Sequence, residues 1–124
     1  MGMREPTYFL LAGLLDGPRH GYAIAQLARE LSDGRVGLSA GTLYGALERL
    51  SDQGLITPVE ELRVGGRRRR VYELTEDGRT ELLQEAERLR QAADVVTARL
   101  HANPEIDRVA AEVARRTEER LANR

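Results

Sequence analysis

At 124 residues the chain has room for one domain, or for one domain with an appended helix. It contains no cysteine, which excludes disulfides, thiolate metal sites and cysteine nucleophiles together. Its formal net charge of -1 is unevenly spread: Glu61 to Tyr72 carries five arginines against one acid, and Glu76 to Arg124 holds eleven acids and nine arginines.

The N-terminus has no basic region followed by an apolar stretch and a cleavage site, and no run approaches about 18 apolar residues. A soluble cytoplasmic protein with no membrane partner is expected. Thr7 to Leu15 is short and apolar, bounded by Asp16-Gly17-Pro18. It fits a strand or a helix, and helix is expected because a turn and a helix follow. Tyr8, Phe9 and Leu11 to Leu15 then fill a core or a subunit interface. From His20 to Leu31, the apolar residues Ile24, Leu27, Ala28 and Leu31 recur at helical spacing.

Gly34 and Gly37 break the next segment, and Ser39 can cap a helix whose inward stripe is Leu43, Ala46, Leu47 and Leu50. Gly54 ends that helix in a left-handed position. Leu55 to Leu62 and Arg70 to Leu74 alternate as two strands, with Gly65-Gly66 between them as a hairpin signal. Pro58 marks the first of these as an edge strand or an irregular start. Thr75 caps the next helix, and Gly78 near its start is tolerable. Leu82, Ala86, Leu89, Ala93, Val96 and Leu100 recur at alternating steps of four and three, a thin a/d seam that predicts a dimer interface. Pro104 interrupts it. Ile106, Val109, Ala110, Val113, Thr117 and Leu121 define a further amphipathic helix. One small domain cannot easily cover both faces, so a homodimer is expected ahead of closure within the chain alone.

This order predicts a mainly α fold with a β-hairpin, a winged helix-turn-helix followed by C-terminal dimerisation helices. Residues 1–78 would form the DNA-binding domain and residues 79–124 the helical dimerisation region. A groove-reading helix needs small or polar residues at its leading end. Ser39, Ala40, Gly41, Thr42 and Gly45 supply that low surface. Serine and threonine can bond phosphates or base edges, and alanine can meet a thymine methyl. Arg49 lies later and suits a phosphate. Arg67, Arg68, Arg69 and Arg70 follow the hairpin turn, where the first two can occupy the loop and the others opposite strand faces. Positive charge there favours a DNA backbone or a narrow minor groove. Tyr22 and Tyr44 fit either the core, with hydroxyls at its rim, or phosphate contact. Tyr72 is expected to pack.

His20 and His101 are the two histidines, in distant segments without metal-ligand spacing. No nucleophile motif or phosphate-cradling loop accompanies them, so neither an enzyme nor a metal site nor a cofactor is expected. A winged-helix protein-interaction module without sequence-specific DNA binding is the alternative to a DNA-binding regulator. The arginine wing favours DNA.

The chain resembles the PadR-like transcriptional regulators, particularly their short C-terminal form. The likeness rests on Leu14-Leu15, Gly17-Pro18, His20-Gly21-Tyr22, Gly41-Thr42-Leu43-Tyr44, Ala46-Leu47 and Leu50. Gly54-Leu55-Ile56, Arg70-Val71-Tyr72 and Leu74 to Arg79 complete it. The resemblance implies a homodimer, held mainly by its C-terminal helices with the first helix also packing on the dimer interface, that binds double-stranded DNA, usually as a repressor of nearby genes. It also implies release by a small aromatic or hydrophobic effector near the dimer interface, which Tyr8, Phe9, Leu89, Ala93 and Val96 could line. Two departures matter. Gly45 stands where the family commonly has proline, and the chain has no tryptophan to stack a planar ligand.

Overall fold

A computed structural model describes residues 2–101 and 103–123, with the backbone alone at 62 and 64. Its described elements run α1 (Glu5–Ala12), β1 (Arg19–His20), α2 (Gly21–Leu31), α3 (Ala40–Asp52), β2 (Ile56–Val64), β3 (Arg67–Leu74), α4 (Glu76–Leu100) and α5 (Pro104–Ala122). Five helices and a three-stranded antiparallel sheet of order β1-β3-β2 form a winged helix-turn-helix with helices appended. The chain divides into two compact units, Met1–Ala86 and Glu87–Arg124.

In the first unit, the apolar stretch after Thr7 is helical. Pro6 sits in the first turn of α1, where a missing N–H is harmless. The helix ends before Leu14 and Leu15, of which Leu14 is buried and Leu15 exposed. Leu10, Leu11 and Leu14 join Ile24 and Ala28 of α2 and the α3 stripe Leu43, Ala46, Leu47 and Leu50 in one core. His20 caps α2, its Nδ1 accepting from the Ala23 N–H at 3.3 Å. β1, which sequence periodicity does not reveal, pairs Arg19 with Tyr72 and His20 with Val71. Two residues are too few for any alternation to register.

Gly54 ends α3 as its position predicts. Its φ of 77° lets its own N–H reach the Ser51 carbonyl and the Leu55 N–H reach that of Leu50, both at 3.0 Å. The turn between α2 and α3 depends on a residue the sequence does not single out. Ser32 is 1 % exposed; its Oγ donates to the Arg29 carbonyl at 3.1 Å and accepts from the Val36 N–H at 2.9 Å. Ser32→Ala would strand a buried N–H in the segment that aims α3. A loss of about 1–3 kcal/mol is expected in urea denaturation, and a change within about 0.3 kcal/mol would contradict it.

Gly65 and Gly66 have φ of 59° and 79°, which permits a two-residue turn flanked by the Val64–Arg67 pair. Both strands therefore run closer to the turn than their hydrophobic alternation predicts. β2 is an edge strand, so Pro58 is accommodated, and the register slips between Pro58 and Glu60. Tyr72 is buried, as a packing residue should be.

Gly78 is more than tolerated. A Cβ there would lie 2.0 Å from the Leu55 carbonyl oxygen and 2.9 Å from Leu74 Cδ1. Thr75 makes the same junction: its hydroxyl donates to the Gly54 carbonyl at 2.6 Å and accepts from the Gly78 N–H at 3.0 Å, capping α4. Leu82 departs from the predicted seam. At 2 % exposure it belongs to the core of this unit, because a/d spacing marks an apolar face without saying what covers it.

In the second unit, the later part of α4 is followed by α5, whose cap Asn103 accepts from the Glu105 N–H at 3.0 Å. Pro104, which interrupts the seam, opens α5 at its first position. Leu89, Val95 and Val96 on α4, and Ile106, Val109, Val113 and Leu121 on α5, are exposed. The polar faces carry intrahelical ion pairs: Arg90 with Glu87 and Asp94, Arg115 with Glu112 and Glu119. The Arg90 hydrogen bond holds the Glu87 carboxyl below its usual range, and Arg115 does the same first for Glu112.

Candidate nucleic-acid interface

The leading end of α3 is exposed from Ser39 to Thr42, while Leu43 turns inward. Ser39 Oγ accepts from the Thr42 N–H at 3.3 Å and donates to Thr42 Oγ1 at 3.0 Å. In that arrangement Thr42 keeps its own hydroxyl hydrogen for an acceptor outside the chain. Helix α3 runs unbroken through Gly45, so glycine at this position leaves its placement intact.

Tyr22 and Tyr44 are not core residues. They are 55 % and 44 % exposed, and both line an open groove with Ala40 of α3 and with Arg67 and Arg69 of β3. Gln26 and Arg29 of α2 share it. Their one signal in the sequence is position: they follow Tyr22 by four and seven residues and so lie on its helix face.

All four wing arginines lie inside β3, so Arg67 and Arg68 are strand residues and not loop residues. The glycine pair makes the whole turn, and strand alternation then divides the arginines two and two. Arg67 and Arg69 line the groove against α2 and α3. The buried Arg69 Nε has no hydrogen-bond acceptor among the described residues. Arg68 lies 3.7 Å from Glu61, and Arg70 shares a cleft with Tyr44, Glu48, Ser51, Asp52 and Tyr72. Arg49 is separate from all of these, in a cleft with Met3, Arg4, Gln53 and Glu81. The structure thus gathers Tyr22, Ala40, Tyr44, Arg67 and Arg69, with Ser39 and Thr42 at the adjoining helix start, and leaves Arg49 apart.

The candidate effector residues fall in both units. Tyr8 and Phe9 are half-buried in the first and meet edge to face at 5.4 Å, with the Arg35 guanidinium 5.9 Å from the Phe9 ring. Leu89, Ala93 and Val96 are exposed in the second. Among the described residues there is no cluster of three or more potential metal ligands, and no helix is long and apolar enough to cross a membrane.

A three-helix body whose third helix leads with small and polar side chains, beside a two-stranded basic wing, defines the winged helix-turn-helix class of DNA-binding proteins. A family model described as the transcriptional regulator PadR-like family matches residues 10–84. Over 86 residues, 69% of this chain, the sequence is 41% identical to an uncharacterized 37.1 kDa protein in transposon TN4556 of Streptomyces fradiae. The match spans only 23% of that relative's length. The transcriptional regulator Rv3488 of Mycobacterium tuberculosis is 41% identical over 78 residues, 63% of this chain and 69% of the relative. Among solved structures, Bacillus subtilis PadR in complex with operator DNA is similar with a TM-score of 0.57 and 27% identity. That likeness covers 65% of this chain and 46% of the other. The chain belongs to the PadR-like family of transcriptional regulators.

Proposed function

We propose that the protein is a homodimeric repressor that binds a palindromic operator sequence-specifically and is released by a small hydrophobic or aromatic effector. The observation that carries the DNA part is the groove in which Tyr22, Ala40 and Tyr44 meet Arg67 and Arg69 beside the start of α3. Ser39, Ala40 and Thr42 face base edges, with Thr42 donating. Tyr22, Tyr44 and the wing arginines hold phosphates, and Arg49 reaches a phosphate farther along the duplex. The operator complex of Bacillus subtilis PadR supports this reading by likeness.

Residues 1–78 act as the DNA-binding domain and residues 79–124 as the dimerisation region. The apolar side chains left exposed on α4 and α5 support a second copy as their cover, with Ala86, Leu89, Ala93, Val96 and Leu100 as the seam and Leu82 serving the core beneath it. Two-fold symmetry then calls for half-sites about 34–36 Å apart, one helical turn. Tyr8, Phe9, Leu89, Ala93 and Val96 are the residues for an effector. Repression is favoured because neither appended helix offers a separate activation surface, and the protein works in the cytoplasm, where the operator lies.

In vitro selection from a random duplex library, read at moderate and high salt, tests the reading. Enrichment of an inverted repeat, lost on Thr42→Ala, is the expected result. Weak, salt-sensitive retention without any enriched sequence would refute it and favour a protein-interaction module.

A further inference from the structure

Gly21 opens α2 and is buried, yet its backbone does not call for glycine, because its φ is not in the left-handed region. What the position lacks is room. A Cβ there would lie 3.1 Å from Leu47 Cδ1 and 3.2 Å from Tyr44 Cε1, both on α3. Carbon atoms pack best at about 3.5–4.0 Å, so one of these neighbours would have to give way. The two are unequal. Leu47 is 0 % exposed and enclosed by the core, whereas Tyr44 is 44 % exposed and has solvent to turn into. An added methyl therefore displaces the tyrosine ring and leaves the leucine in place.

Tyr44 is also the one α3 residue common to three clefts that border β3. It lines the groove of Arg67 and Arg69, a second cleft with Gly21 and Arg68, and a third with Arg70. Its ring thus borders the approach to each wing arginine. We infer that Gly21 is a positioning residue for DNA binding: its missing side chain seats the Tyr44 ring against the start of α2, and that seat holds the ring among the wing arginines, where it meets the duplex. The inference rests on the DNA-binding reading proposed above and adds to it a buried residue that touches no nucleic acid. Gly21 acts only through Tyr44, so its effect must vanish when that ring is removed.

The test uses the full chain with isotopically labelled tyrosine, the duplex enriched by selection, and the variants Gly21→Ala, Tyr44→Ala and the two combined. Tyr44→Phe identifies the Tyr44 ring resonances among those of the four tyrosines. In the free protein, Gly21→Ala should shift those resonances and lower the melting temperature by less than about 4 °C. It should weaken duplex binding about tenfold. In the Tyr44→Ala background, where the methyl has no ring to push, it should change binding by less than about twofold. An equal loss in both backgrounds would assign the effect to the start of α2 and overturn the inference. A larger fall in melting temperature would assign it to Leu47 and do the same. Unmoved Tyr44 resonances, or a ring that moves while binding stays as it was, would overturn the inference and leave the DNA reading standing. Failure of the unsubstituted protein to bind any duplex would overturn the DNA reading, and this inference with it.

Discussion

Replacing Gly78 with alanine is expected to lower stability by about 3 kcal/mol, the upper end of what overpacking costs. On helix propensity alone the sign would be the reverse, because glycine in a helix is about 1 kcal/mol worse than alanine. The structure decides between them. A Cβ at Gly78 would sit 2.0 Å from the Leu55 carbonyl oxygen. That carbonyl cannot easily withdraw: it accepts the Thr75 N–H at 3.1 Å, and Leu55 donates to Leu50 in the terminus of α3. The neighbouring Gly54 carbonyl is tied to the Thr75 hydroxyl at 2.6 Å. Relief would have to displace the end of α3, the start of β2 or the first turn of α4. Thermal melting should show a fall on the order of 15 °C. A rise in melting temperature, or no shift, would mean that the junction relaxes at little cost.

Gly78 also marks the limit of what sequence discloses. Helix α3 was legible almost in full, because Ser39, the Leu43, Ala46, Leu47 and Leu50 stripe, and Gly54 are local signals of cap, face and stop. The requirement at Gly78 is tertiary, set by a carbonyl 23 positions earlier (78 − 55) that no helical pattern reports. Ser32 was missed for a similar reason. A serine in a polar turn looks solvated until Val36 is seen folding back onto its hydroxyl. Leu82 shows the converse: its spacing marks it as apolar, but periodicity cannot distinguish a face covered by the same chain from one covered by another. In the wing, Gly65-Gly66 marks the turn, yet the sequence signal for the strands stops short of it because arginine is not a characteristic strand residue. The hairpin register carries pairing to Val64 and Arg67 regardless of side-chain type.

That register makes the four arginines unequal, and the double variant Arg67→Ala/Arg69→Ala should weaken operator binding more than Arg68→Ala/Arg70→Ala. Arg67 and Arg69 face the groove with Tyr22 and Tyr44, and Arg69 Nε has no acceptor among the described residues. Their charge is available to phosphate. Arg68 has Glu61 at 3.7 Å, and Arg70 shares its cleft with Glu48 and Asp52. Among the described residues Glu30 is the one acid lining the groove of Arg67 and Arg69, so acids offset more of the field around Arg68 and Arg70. If each groove-facing arginine neutralises one phosphate, losing both should reduce the slope of log K against log salt by about 1.8, from about 0.9 per phosphate. Affinity at moderate salt should fall roughly 10–100-fold, at about 1.4 kcal/mol per decade. The other pair should change the slope by less than about 0.9. Three of the four side chains are exposed and Arg69 is half-buried, so melting temperature measured alongside binding separates lost contact from lost fold. Equal slopes for the two pairs would show that the wing arginines act as a diffuse charge and that strand alternation does not select among them. A larger loss for Arg68 and Arg70 would put the duplex against the cleft they line with Gly21, Tyr44 and Glu61.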